Sequence, residues 1–180
     1  MKTMRQGFTM IELIFVIVII GILASVAIPK LAATRDDAKI SSIIANTRTA
    51  FSDFNAFFTS RGENIWTNSA TIGDVTSVPA SDWFGCDTPL DTTQPLMMSG
   101  LTLCDQSTAG ANPCMIMFPT QDAEFDPDTG ELKLYQAVGV WTNQGASTIC
   151  DAVATDPSVL ALTDGFGWGI HRLGGSSVKR

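Results

Sequence analysis

Residues 8–28 carry one charge, Glu12, in a run that is otherwise almost wholly apolar, with Leu13-Ile14-Phe15-Val16-Ile17-Val18-Ile19-Ile20 at its centre. As a helix rising about 1.5 Å per residue, this run would be roughly 30 Å long, enough to cross the hydrocarbon core of a bilayer. It has no polar side to turn towards water, so it suits lipid or the middle of a helical assembly. A carboxylate at the centre of such a span is unfavourable by about 2.5–3.5 kcal/mol, and by less near an end. Glu12 therefore needs a functional reason.

The flanks narrow the reading. Seven residues with two bases, Lys2 and Arg5, precede the Gly7-Phe8 junction, and Glu12 is the fifth residue counted from Phe8. Gly21 interrupts the apolar run, and Ile28-Pro29-Lys30 closes it. This pattern resembles the N-terminus of type IV prepilins and of the pseudopilins of type II protein secretion, over roughly the first sixty residues. The resemblance implies a leader at residues 1–7, cut after Gly7 by a prepilin peptidase that also methylates the new N-terminus at Phe8. Lys2 and Arg5 would hold the leader on the cytoplasmic side. The resemblance also implies that Glu12 sets subunit register by pairing with the N-terminal amine of a neighbouring subunit. The physical basis is sound: a carboxylate and an ammonium are each unfavourable in hydrocarbon, and pairing relieves both.

Further implied are a single pass through the inner membrane with a periplasmic head, then a place in a pilus or pseudopilus at the cell envelope. The implied partners are other pilins in a homo-oligomeric filament, the peptidase, an inner-membrane assembly platform with its ATPase, and an outer-membrane secretin. The function that follows is that of a structural subunit of a type IV pilus, serving adhesion, motility or DNA uptake. A pseudopilin of a type II secretion system is the alternative. A second alternative comes from another class. Ala24-Ser25-Val26-Ala27 offers small residues to a conventional signal peptidase, which would release a soluble protein beginning at Ile28. Pro29 directly after that cut, and Glu12 between the basic and apolar regions, argue against it.

Past Pro29, residues Leu31, Ala38, Ile40, Ile43, Ile44, Thr47, Ala50, Phe51, Phe54, Phe57 and Phe58 recur mostly in steps of three and four. That periodicity predicts an amphipathic helix over residues 30–61 with one face buried. The phenylalanines read as core packing. Arg61-Gly62 supplies a helix stop. Residues 8–29 are thus the expected membrane and filament-core helix, and residues 62–180 the head. Proline removes a helical hydrogen bond and glycine lowers propensity, so Gly21 and Pro29 mark where the helix could extend in a filament, as it does in type IV pili.

Residues 62–113 read as a long connection with short structured pieces around Trp83-Phe84 and Leu101-Thr102-Leu103. Cys114-Met115-Ile116-Met117-Phe118 predicts a buried strand. Residues 131–135 and 137–141 predict one or two strands, and residues 167–171 a last one. The expected fold is α+β, a long N-terminal helix packed on a small antiparallel sheet.

Charge limits the partners of the head. Residues 62–171 hold fourteen acids and one base, Lys133, a formal −13. Direct binding of nucleic acid by this part is not expected, since phosphate attraction needs Lys and Arg. Arg172, Lys179 and Arg180 form a basic end that could meet the acidic surface of a neighbour.

Four cysteines, Cys86, Cys104, Cys114 and Cys150, predict two disulfides in an oxidising compartment. Three connectivities exist. Proximity in sequence favours Cys104 with Cys114, leaving Cys86 with Cys150. Zinc is disfavoured, as there is no Cys-x-x-Cys pair and His171 is the sole histidine. Asp126-Pro127-Asp128-Thr129-Gly130-Glu131 has the alternating oxygens of a small calcium loop, with Asp126, Asp128 and Glu131 as candidate ligands. It equally has the chemistry of a hairpin turn. Otherwise no cofactor is expected. His171 lacks any accompanying nucleophile motif, and no enzyme is expected.

Overall fold

A computed structural model describes residues 8–83, 85–105, 111–165 and 167–174. Lys2, Arg5, Gly7, Phe84, Lys179 and Arg180 lie outside the described residues. The chain divides into two compact units, Met1–Ala38 and Lys39–Arg180.

Helix α1, Met10–Arg61, contributes its first part to one unit and its second part to the other. Over residues 10–31 its apolar side chains are exposed on all sides, as expected of a segment with no polar face. The helix passes through Gly21 and Pro29 without a break. It ends at Gly62, whose positive φ of 78° is a conformation that side-chain-bearing residues rarely adopt.

In the second unit, α1 buries one stripe. Ile43, Thr47, Ala50 and Phe54 are buried, with Ile40, Ile44, Phe51, Phe57 and Phe58 packed beside them. The predicted stripe was longer. Leu31 and Ala38 are exposed, so the buried face begins at Ile40. Periodicity marks which residues share a face; it does not say where along the helix the sheet begins. The phenylalanines do pack in the core: the Phe54 and Phe58 rings meet Trp66 edge-on, with centroids 5.8 and 5.6 Å apart. Trp66 belongs to α2 (Glu63–Asn68), which is followed by α3 (Ile72–Val75).

The sheet is antiparallel and ordered β1-β2-β3-β4-β5. Its strands are Ser81–Asp82, Leu101–Cys104, Pro113–Phe125, Leu132–Thr142 and Trp168–Arg172. The two apolar segments at residues 131–141 form the single strand β4, and the last predicted strand is β5. β3 is far longer than its predicted apolar core and contains Pro119. Proline is tolerated there because β2 pairs with β3 only as far as Met117, leaving no ladder bond to make on that side. Alternation sets the faces. Met115, Met117, Val138 and Val140 are buried in the core cluster that includes α1, while Ile116, Phe118, Trp141, Trp168 and Ile170 lie on the opposite face. A side chain at Gly139 would overlap the Phe118 ring, which lies across the glycine.

The disulfides correct the expected pairing: Cys86 joins Cys104 and Cys114 joins Cys150. The register explains why. A shift between Leu103 and Cys104 places Cys104 opposite Pro113, not Cys114. Neighbouring residues on a strand point to opposite faces, so Cys114 turns away from Cys104. It meets Cys150 on α4 (Thr148–Ala154), at a Cα separation of 4.6 Å. Helix α4 and the short α5 (Pro157–Leu160) were not among the predicted elements; their N-caps are Ser147 and Asp156.

Candidate functional site

The candidate site is the first turn of α1. Thr9 precedes the helix, and its carbonyl accepts from the Leu13 N–H at 3.2 Å. The Thr9 hydroxyl donates to Glu12 Oε2 at 3.0 Å, and the Thr9 backbone N–H donates to the same oxygen at 3.3 Å. The Glu12 N–H donates back to the Thr9 hydroxyl oxygen at 3.4 Å. This is a reciprocal capping box, which satisfies backbone donors that have no partner within the helix. It also places a negative charge at the positive end of the helix dipole. Inside a bilayer such satisfaction matters more, because water is not there to provide it.

Glu12 stands out in the sequence as the single charge of an apolar run, whereas Thr9 went unread. The signal was present: Thr-x-x-Glu before an apolar run is the pattern of a capping box. Phe8, the expected new N-terminus, is described and exposed. Gly7, the other half of the expected cleavage junction, lies outside the described residues. Gly21 and Pro29 lie nine and seventeen residues along the helix from Glu12, within its exposed portion.

The remaining candidates are spread over the head. Asp126, Asp128 and Glu131 form the β3–β4 turn. Asp126 accepts from the N–H groups of Asp128 and Thr129 at 3.0 and 3.1 Å, and its other oxygen pairs with Lys133 at 2.9 Å. Lys133, then those backbone donors, hold the Asp126 carboxyl down at about 2. Lys133 itself is pushed up by the same pair. The Asp126 carboxylate is thus engaged in stabilising a turn, with Gly130 at φ 72°. No group of three or more His, Cys, Asp or Glu side chains among the described residues is arranged to hold a metal ion.

His171 lies on the core side of β5. Its Nε2 is 2.7 Å from the Leu162 carbonyl, and its ring meets Phe51 edge-on. Arg172, expected in a basic end, is instead fixed on the sheet. It donates to Asp122 and to Glu124, and its guanidinium lies 4.2 Å from the Tyr135 ring centre. Pairing across adjacent strands brings these four groups together. Near the other end of β3, burial pushes the Asp105 carboxyl up. Hydrogen bonds from Asn112 and Ser147, with Lys39 nearby, outweigh this and hold it below the usual range. Also unread from the sequence is an apolar groove of about 390 Å³ on the outer face, lined by Trp83, Ile116, Phe118, Trp141 and Trp168. Alternation could have flagged its strand residues; Trp83 reaches it from a loop.

Residues 2–28 match the family model of the prokaryotic N-terminal methylation motif. The chain is 35% identical over 80 residues to the type IV major pilin protein PilE1 of Neisseria gonorrhoeae, covering 44% of this chain and 47% of that protein. It is 36% identical over 77 residues to a fimbrial protein of Neisseria meningitidis serogroup A / serotype 4A (strain DSM 15465 / Z2491), covering 43% of this chain and 44% of that protein. These matches support the type IV pilin family. The matched part of the chain spans less than half the length of these curated relatives. No solved structure matches it significantly. The family model's match at residues 2–28 takes in the Thr9–Glu12 turn and the start of the exposed apolar helix.

Proposed function

We propose that this chain is a structural subunit of a type IV pilus. It is processed by a prepilin peptidase after Gly7, methylated at Phe8, and assembled through α1. The observation that carries this reading is the methylation motif on an apolar helix that the described residues leave entirely bare. Such a surface has two stable settings, lipid before assembly and a bundle of like helices after it.

In this reading Glu12 acts twice. Within its own subunit, one carboxylate oxygen caps the helix through Thr9. The other oxygen accepts the amine of a neighbouring Phe8, so that register carries an energetic preference. The segment between Gly21 and Pro29 supplies the capacity to extend on assembly. The head stands in the periplasm until the filament forms, and then makes its outer surface. The filament contains further copies of the chain, and its assembly draws on an inner-membrane platform with its ATPase and an outer-membrane secretin. The work of the chain is mechanical, with no catalytic step.

The test is the intact mass and N-terminal sequence of the mature protein from its native membrane fraction. The expected chain starts at Phe8 and is heavier by one methyl group. A chain starting at Ile28 would overturn the reading and leave a secreted soluble protein.

A further inference from the structure

The groove on the outer face of the sheet is walled by aromatic rings. Trp141 and Trp168 stand directly opposite each other on β4 and β5, and Ile116 stands opposite Trp141 on β3. Trp83 and Phe118 line it too, their rings meeting edge-on with centroids 4.8 Å apart. Two glycines let these rings lie close on the sheet: a side chain at Gly100 would overlap Trp83, as one at Gly139 would overlap Phe118. Trp83, Trp141 and Trp168 remain 41%, 39% and 58% exposed, so their rings are open to a ligand. At about 390 Å³ the groove is within the range of small-molecule sites, roughly 300–1,000 Å³.

Charge decides what fits it. The faces of tryptophan and phenylalanine rings are electron-rich and attract cations. A second hollow of about 270 Å³ shares Trp168 with the groove and is lined by Asp122 and Asp164. Asp164 forms no ion pair among the described residues. The formal −13 of residues 62–171 draws cations to this surface and repels anions. Lys133 and Arg172, the bases of this face, are already held by Asp126, Asp122 and Glu124. The face also holds one cation in the same manner: the Arg172 guanidinium lies 4.2 Å from the Tyr135 ring centre, beside two carboxylates.

We propose that the groove binds a quaternary ammonium group of the choline class, as a free small cation. A primary ammonium or a guanidinium would leave N–H donors unsatisfied against these apolar walls, whereas a trimethylammonium group has none to satisfy. Choline carried on a phosphate is disfavoured, because the surrounding acids repel the phosphate. The site does not depend on the filament reading and is tested separately from it.

The test is a titration of the full chain in micelles of an uncharged detergent, read from the tryptophan indole N–H signals by NMR. Choline chloride, at matched ionic strength, should shift the signals of Trp141 and Trp168 saturably, with a midpoint of about 1–10 mM. Trp66, buried in the core, should stay unmoved and report an intact fold. The uncharged isostere 3,3-dimethylbutanol should bind at least about tenfold more weakly, and phosphocholine more weakly than choline. Trp168→Leu keeps an apolar side chain but removes the ring face, and should weaken choline binding about tenfold with the Trp66 signal unchanged. Should that variant not fold, Trp83→Leu, in a loop, replaces it with the same expectation. Equal binding of the isostere would overturn the proposal, leaving a merely apolar groove. So would the absence of saturable shifts, tighter binding of phosphocholine, or full choline binding by a folded leucine variant.

Discussion

Two carboxylates show how differently one functional group is used. Glu12 is held by Thr9 at the head of a helix with no polar face, where an uncapped turn would leave donors unsatisfied. Replacing Thr9 with Ala should weaken the first turn by about 1 kcal/mol. In detergent micelles, amide exchange over residues 10–13 should then quicken by about fivefold, with no change near Ile43. Asp126 instead fixes a hairpin turn. Its carboxyl titrates at about 2, below the ordinary 3.8, because Lys133 and two N–H groups favour the charged form. A depressed carboxylate stabilises the fold above its unfolded value, and that contribution fades as pH falls from 3.8 towards 2. A carboxyl-carbon titration by NMR should find this midpoint, and Asp126→Asn should remove the pH dependence of the turn, leaving it at neutral pH as loose as the unsubstituted turn becomes in acid.

Among the elements, α1 is one helix with two environments. Residues 10–31 are bare, and the stretch from Ile40 onwards is committed to a core. Pro29 lies in the bare part, where it removes a hydrogen bond without disturbing any packed side chain. A filament map should show residues 21–29 extended. Pro29→Ala with Gly21→Ala should keep that stretch helical, since proline alone disfavours a helix interior by about 3 kcal/mol. A map with unbroken helix through both native residues would rule the extension out. Helix and strands were legible because burial on one face imposes a period on the residues, as in Ile43, Thr47, Ala50 and Phe54 or in Met115, Met117, Val138 and Val140. Helices α4 and α5 were not legible. At seven and four residues they are too short to show a period, and capping with burial of Ile149, Val153 and Val159 holds them.

Across the molecule, the Cys114–Cys150 bond ties the long strand β3 to α4 over a separation of 36 residues. Removing it with Cys114→Ala and Cys150→Ala should cost about 3 kcal/mol. Denaturant unfolding followed through Trp66 would read that loss, with the Cys86–Cys104 bond intact.

The residues alone determined that a bare apolar helix opens on a single acid, that an amphipathic helix follows, and that alternating strands make an antiparallel sheet. These properties are carried by spacing along the chain. The cysteine partners were decided by a register shift at Cys104. The transition from exposed Leu31 to buried Ile43 was decided by where the sheet meets α1. The role of Arg172 was decided by the strands that bring Asp122, Glu124 and Tyr135 beside it. Each of these depends on contacts between residues far apart in the chain, whose register no local period encodes.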